Sequence, residues 1–323
     1  MARGRRIALI AASAVLALGS LAVAGCGDDD EDATATSGGG DAAALSGNIV
    51  IDGSSTVAPL TSAAAEDFAA DNGDVNITVG TSGTGGGFER FCTGETDISN
   101  ASRAIEDDEV AACEAGGVAY EELRVASDGI TIVTSSNADV GGTDITSAQL
   151  KAIWGPKSTI KNWSDIPGGD FNDVPLALAG PDSQSGTYDF FNEEILGEDA
   201  AGETVTPRQD YTASADDNVI VRAVQSGPGT MGYFGFTYYE ENADTLAPFT
   251  LDGVEPTTES ITDGSYPLSR PLFIYVKTAS LEKPEVKAFV RYYLENATAL
   301  AEDLQFVPAP QDALDEALAR VPE

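Results

Sequence analysis

Asn48-Ile-Val-Ile51, Asp52-Gly-Ser-Ser55 and Pro59-Leu-Thr-Ser-Ala-Ala-Ala-Glu-Asp-Phe-Ala-Ala70 read in turn as strand, polar loop and helix. The β-branched run suits an extended chain, the loop interrupts it, and the alanine-rich segment resumes with helical periodicity. The unit repeats at once. Val75-Asn-Ile-Thr-Val79 is a strand, Gly80-Thr-Ser-Gly-Thr-Gly-Gly-Gly87 a loop, and Gly87-Phe-Glu-Arg-Phe-Cys92 the start of a second helix. A third copy of the arrangement comes much later: Leu176-Ala-Leu-Ala179, then a loop ending in Ser183-Gln-Ser-Gly-Thr187, then Tyr188-Asp-Phe-Phe-Asn-Glu-Glu-Ile-Leu196. Strands alternating with helices predict an α/β protein with a parallel sheet, whose ligands sit beyond the carboxyl ends of its strands. Two neighbouring units and one distant unit predict a site shared between two lobes.

Other elements fit the same class. Ile130-Thr-Ile-Val133 and Leu272-Phe-Ile-Tyr-Val276 read as strands, Ser147-Ala-Gln-Leu-Lys-Ala-Ile-Trp154 as a short helix, and Pro284 to Leu304 as an amphipathic helix. The aromatic run Tyr233 to Tyr239 reads as core. With 323 residues, 42% of them hydrophobic, the chain has room for two medium domains.

The three loops carry the chemistry. Gly53-Ser-Ser-Thr-Val57, the Gly80 to Gly87 run and Ser183 to Thr187 each offer hydroxyls and unhindered backbone N–H groups before a helix. Helix starts carry about half a positive charge, so such loops suit a small oxyanion. A single loop of this kind is more often a helix cap; three at strand ends, with the cation Arg103 at the end of Asp97-Ile-Ser-Asn-Ala-Ser-Arg103, point to a ligand. In so acidic a chain Arg103 has a second reading, as a surface ion-pair residue.

Several function classes fall away. The chain has no histidine, which removes Ser–His–Asp and Cys–His catalysis, and no Gly-x-Ser-x-Gly surrounds Ser55, Ser82 or Ser185. The glycine run lacks the Gly-Lys-Ser/Thr of a phosphate loop, and Gly227-Pro-Gly-Thr-Met-Gly232 is followed by aromatics that open a helix poorly. Net charge is −36, and loss of the N-terminal leader with its three arginines takes it to −39. Nucleic acid and anionic lipid surfaces are therefore poor partners. That field also repels a small anion at long range, so capture has to rest on short-range donors inside a cleft.

The N-terminus reads as an export signal: Arg3, Arg5 and Arg6, an apolar stretch from Ile7 to Val23, and Val23-Ala-Gly-Cys26. Cys after Val-Ala-Gly resembles a bacterial lipobox, which implies a leader over 1–25 and a diacylglycerol on Cys26. Residues 26–46 hold almost no large apolar side chain and read as a flexible tether with a span on the order of 25 Å. In an exported chain the remaining cysteines, Cys92 and Cys113, are expected to form a disulfide; free thiols are the alternative, and two thiols without histidine make a poor metal site.

Taken together, Gly53-Ser-Ser-Thr-Val-Ala-Pro-Leu60, Gly83-Thr-Gly-Gly-Gly-Phe88, Asp97 to Arg103, Ile153-Trp-Gly155 with Asn162-Trp-Ser-Asp-Ile166, and Ser185-Gly-Thr187 resemble the phosphate-binding proteins of Pst-type ABC importers, over about 47–309. The resemblance implies the two-lobed periplasmic-binding-protein fold (type II), with two crossover strands as a hinge near Ser127-Asp-Gly129 and Ser269-Arg-Pro271. The lobes would be 47–127 with 271–323, and 128–270. It implies phosphate held by Ser55, Thr56, Ser82, Thr84, Arg103, Ser185, Gly186 and Thr187. It further implies a monomer on the outer face of the cell membrane that serves an ABC permease, with no catalytic residue, cofactor or metal. The rival readings are a phosphoester hydrolase and a receptor for sulfate, molybdate or a phosphonate. One departure stands out. Well-studied members carry Asp at the place of Arg103 and Arg at the place of Pro181. The proton acceptor for phosphate is therefore open, with Asp182 and Asp128 as candidates.

Overall fold

In the computed structural model, which describes residues 44–322, the first unit is built as its sequence predicts. Strand β1 (Gly47–Gly53) leads into helix α1 (Ala58–Asp71), then β2 (Val75–Val79), helix α2 (Gly83–Cys92), β3 (Ile98–Ala101), helix α3 (Asp107–Gly116) and β4 (Tyr120–Ser135). Strands β2 and β3 flank β1, and both run parallel to it. The loops after β1 and β2 therefore open at the same edge of the sheet, as right-handed β–α–β connections require. The predicted leader, Cys26 and most of the tether lie outside the described residues. Among the described residues no helix is long and apolar enough to cross a membrane.

Strand β4 is longer than its apolar core predicts. Sixteen residues run as one strand, and the sequence signal covers only Ile130 to Val133 because the first half is amphipathic. The strand Ser269–Lys277 pairs with it antiparallel and also pairs with β3, so one ten-stranded sheet runs continuously through the described residues. Its far half holds Thr230–Gly235 and Ala177–Gly180, parallel to each other. Thr230–Gly235 occupies the end of the Gly-x-Gly-x-x-Gly run; a strand stands where a dinucleotide-binding helix would begin.

The two halves of the sheet serve different cores. Leu123 and Val125 of β4, with Leu272, Ile274 and Val276, pack against α1 and the helix Pro284–Asp303. That helix presents Val286, Phe289, Val290, Tyr293, Leu294 and Ala297 to the core, an i, i+3, i+4 stripe, and Phe289 meets Phe68 edge-on with ring centroids 5.6 Å apart. Ile130 and Ile132 of β4 belong to a second core with Trp154 of helix α4 (Ser147–Trp154), Trp163, Phe191 and Tyr233. Both tryptophans are fully buried, and Trp163 donates its indole N–H to the Gly229 carbonyl at 2.8 Å. The Trp-containing motifs that carry part of the family resemblance thus pack this core. Between the cores, Ser127, Asp128 and Gly129 stand opposite Pro271, Arg270 and Ser269 in register.

Helix α2 begins at Gly83, four residues earlier than its sequence predicts. A cost of roughly 1 kcal/mol per glycine argues against a glycine-rich helix. Packing overrides it. A Cβ on Gly87 would lie 2.5 Å from Gly53 Cα and 2.8 Å from Ser99 Oγ, so α2 can approach β1 this closely only with glycine there. Gly87→Ala is expected to destabilise the protein by about 1–3 kcal/mol, as overpacking of a tight backbone contact does. A urea titration checks it; an unchanged midpoint would mean that α2 can shift without loss. The predicted disulfide is present: Cys92, at the end of α2, is joined to Cys113 of α3.

Candidate functional site

The first wall of the cleft is set by Asp52, the last side chain of β1 before the loop. Its buried carboxylate accepts the N–H of Gly53 at 2.8 Å and of Ser82 at 2.9 Å, and pairs with Arg90. Burial alone would raise this carboxyl, but the Ser82 and Gly53 N–H bonds, the Ser82 hydroxyl and Arg90 together hold it below the usual carboxylate range. One anion thus ties the β1 loop to the start of α2. Ser54 is buried and donates its N–H to the Asn100 carbonyl at 2.9 Å, and its hydroxyl accepts the N–H of Thr56 at 3.2 Å. The Thr84 hydroxyl lies 3.1 Å from the Ser102 hydroxyl and accepts the Ser102 N–H at 3.2 Å. This links the α2 loop to the end of β3, where Arg103 follows.

Arg103 is shared. Its guanidinium makes a two-pronged pair with Glu109 at 2.7 and 2.8 Å, meets Glu106 at 3.1 Å, and donates to the Ala104 carbonyl at 3.1 Å. The Glu109 bonds raise its proton affinity further. The side chain is 38% exposed, so it is neither a free surface residue nor a fully buried one.

The opposite wall comes from the third loop. Ser185 accepts the Thr187 N–H at 3.2 Å and caps helix α5 (Gly186–Phe191), which continues as a π-helix over Asn192–Leu196. The walls nearly touch at Gly186, where a Cβ would come within 3.0 Å of the Thr56 hydroxyl. On one side of that approach is a cavity of about 580 Å³ lined by Ser54, Ser55, Thr56, Thr84, Ser102, Arg103, Gly186, Asp189, Glu193, Glu194 and Arg270, among others. On the other is a chamber of about 330 Å³ bounded by Ser55, Thr56, Asp128, Ser185, Gly186, Thr187 and Asp217.

Of the sequence-predicted residues, Ser55, Thr56, Thr84, Arg103 and Gly186 line the larger cavity, and Ser185 and Thr187 line the adjoining chamber. Ser82 lines neither; it faces Asp52 and holds the loop. Asp182 accepts the Gln184 N–H at 3.0 Å and lies outside both linings, whereas Asp128 sits on the floor between the walls. Sequence reasoning missed Arg270, which it had placed only at a crossover. The available signal was a lone cation ahead of the apolar run Pro271 to Val276. It also missed the carboxylates of α5 and the turn after it. Burial raises the proton affinity of both Asp189 and Glu193, and the charge of Arg270 opposes that rise.

The arrangement is a narrow polar cleft with hydroxyls from three distant loops, two guanidiniums and several carboxyls of raised proton affinity. The PBP superfamily domain matches residues 36–297. Protein SphX of Synechococcus elongatus is 43% identical over 87% of this chain and 83% of its own. The phosphate-binding protein PstS of Staphylococcus saprophyticus is 39% identical over 84% of this chain and 83% of its own. The chain belongs to the phosphate-binding-protein branch of that superfamily. A crystal structure of a possible phosphate binding protein from Planctomyces limnophilus superposes with a TM-score of 0.80 at 40% identity, covering 86% of this chain and all of that one. The fold is therefore the two-lobed, mixed α/β fold of periplasmic binding proteins.

Proposed function

We infer that this protein is an extracytoplasmic receptor that captures inorganic phosphate and hands it to an ABC permease. The observation that carries this reading is the convergence of residues 54–56, 83–85 and 102–104 with Gly186, Asp189 and Glu193 on one cleft containing the guanidiniums of Arg103 and Arg270. Ser55, Thr56, Thr84, Arg103 and Gly186 are assigned to the ligand directly, Ser185 and Thr187 to its far side, and Ser82 to the loop that presents Thr84. We assign one lobe to 47–127 with 271–323 and the other to 128–270. Binding then closes the lobes about the paired crossovers. Residues 1–25 act as the leader, and Cys26 carries a lipid that holds a monomeric receptor on the outer face of the membrane.

Selectivity follows from protons. At neutral pH phosphate still carries a proton and sulfate carries none. Asp189, Glu193 and Glu194 border the larger cavity, so phosphate can donate to a carboxylate where sulfate would set oxygen against oxygen. All three are exposed in this structure, so the discrimination arises on closure: an acceptor then buried against the anion without a shared proton costs roughly 1–3 kcal/mol. Calorimetry at pH 7 is expected to give phosphate binding at least about tenfold tighter than sulfate binding. Equal affinities would remove the proton argument and favour a general tetrahedral-oxyanion receptor.

A further inference from the structure

Arg270 belongs to neither wall of the cleft. It stands on the crossover strand directly opposite Asp128 of the other crossover, in the stretch where the sheet passes from one core to the next. The residue is only 9% exposed. Its Nε and Nη2 donate to Asp128 Oδ2 at 3.2 and 3.1 Å, and Nη2 also donates to Thr56 Oγ1 at 2.9 Å. The guanidinium carbon lies 3.9 Å from the centroid of the Phe190 ring. Thr56 is on the first wall and Phe190 on the second, so one planar group touches both walls and the hinge at once.

Its donors are unevenly used. Nη1 makes no hydrogen bond to any described residue, while Arg270 lines the larger cavity. Arg103, by contrast, has most of its N–H groups committed to Glu109, Glu106 and Ala104. Because Thr56 Oγ1 accepts from Arg270, its own O–H is free to donate elsewhere. An anion oxygen beside Arg270 Nη1 would thus meet a guanidinium N–H pair and a hydroxyl already oriented by the same cation. Asp128 offsets the charge of Arg270, since an isolated buried cation is costly.

We propose that Arg270 is the hinge-borne anchor for the tetrahedral anion, and that its joint contacts to Thr56 and Phe190 couple anion binding to closure of the walls. This rests on the phosphate reading above and adds a residue and a coupling to it. A guanidinium suits the task because it can stack on a ring face while its edge still donates; an ammonium cannot do both.

The test compares the parent, Arg270→Lys, Phe190→Leu and Arg103→Ala by calorimetry with inorganic phosphate and by small-angle scattering with and without saturating phosphate. The parent should bind and contract. Arg270→Lys keeps the charge but loses the stack and the fork, and should bind about thirtyfold more weakly or worse. At saturating phosphate it should also fail to contract. Arg103→Ala should lose affinity yet still contract once saturated, which separates anchoring from coupling. If Arg270→Lys does not fold, Phe190→Leu decides the matter, because it leaves every cleft donor in place and should reduce both affinity and contraction. Parent-like binding and contraction in Arg270→Lys, or in Phe190→Leu where the lysine variant is unfolded, overturns the inference and leaves the phosphate reading intact. A parent that binds no phosphate overturns both.

Discussion

Arg103→Ala is expected to weaken phosphate binding by about 2 kcal/mol, roughly thirtyfold, in calorimetry at pH 7. Truncating a fully desolvated cation beside an anion costs about 2–5 kcal/mol. The lower end applies here for two reasons. The side chain is 38% exposed, so water screens what remains. Its fork is also already engaged by Glu109, leaving few N–H groups for a ligand. What Arg103 supplies is charge at a fixed position: the α3 capping box, in which Glu109 also accepts the Glu106 N–H at 2.9 Å, holds the guanidinium at the mouth of the cavity. A dissociation constant that does not change would make Arg103 a structural ion-pair residue belonging to α3. That outcome would leave the anion with a single guanidinium.

The strand, loop and helix order of the first unit was legible because β-branched runs, Ser/Thr/Gly loops and alanine-rich segments differ sharply in local preference. The same local preference misplaced the start of α2. Four of the first five residues there are glycine, and only the approach of Gly53 and Ser99 explains why they are helical. Strand β4 was half visible, since Tyr120 to Arg124 gains its strand pairing from the distant Phe273 to Lys277. The anion loops were legible one by one as donors. Their meeting was legible only from their common place at strand ends and from the family resemblance, and the division of labour among them was not legible at all: Ser82 serves Asp52 while Thr84 and Ser102 share a bond. Arg270 was hidden for the same reason. Its significance lies in standing opposite Asp128 and beneath Phe190, contacts that join residues far apart in the chain.

Asp217→Asn is expected to stabilise the protein at pH 7 by about 3 kcal/mol, the equivalent of two pKa units. Asp217 opens helix α6 (Asp217–Ser226) and lines the chamber beside Ser185 and Thr187. Burial pushes its carboxyl from 3.8 up to about 6; the Gly235 N–H opposes that rise, and the charges of Asp216 and Asp128 add to it. Asp128 contributes little net charge because Arg270 pairs with it. Tyr238, from the helix following Gly235, also faces the group; burial raises the tyrosine's proton affinity, and the charge of Asp217 adds to that rise. The folded state therefore holds the Asp217 proton more tightly than the unfolded chain does. Below about pH 3.8 both states are protonated and the group is neutral in its effect. As pH rises from there to about 6 the unfolded chain ionises first, stability falls, and above about 6 the full penalty is present. Asparagine cannot ionise, so the variant should lose this part of the slope and gain most at neutral pH. Urea unfolding of both proteins at pH 4 and pH 7 checks it: the difference should be small at the lower pH and large at the higher. A gain of the same size at both would assign the effect to packing or capping. No gain at either would mean that the carboxylate at Asp217 is solvated well enough to ionise freely.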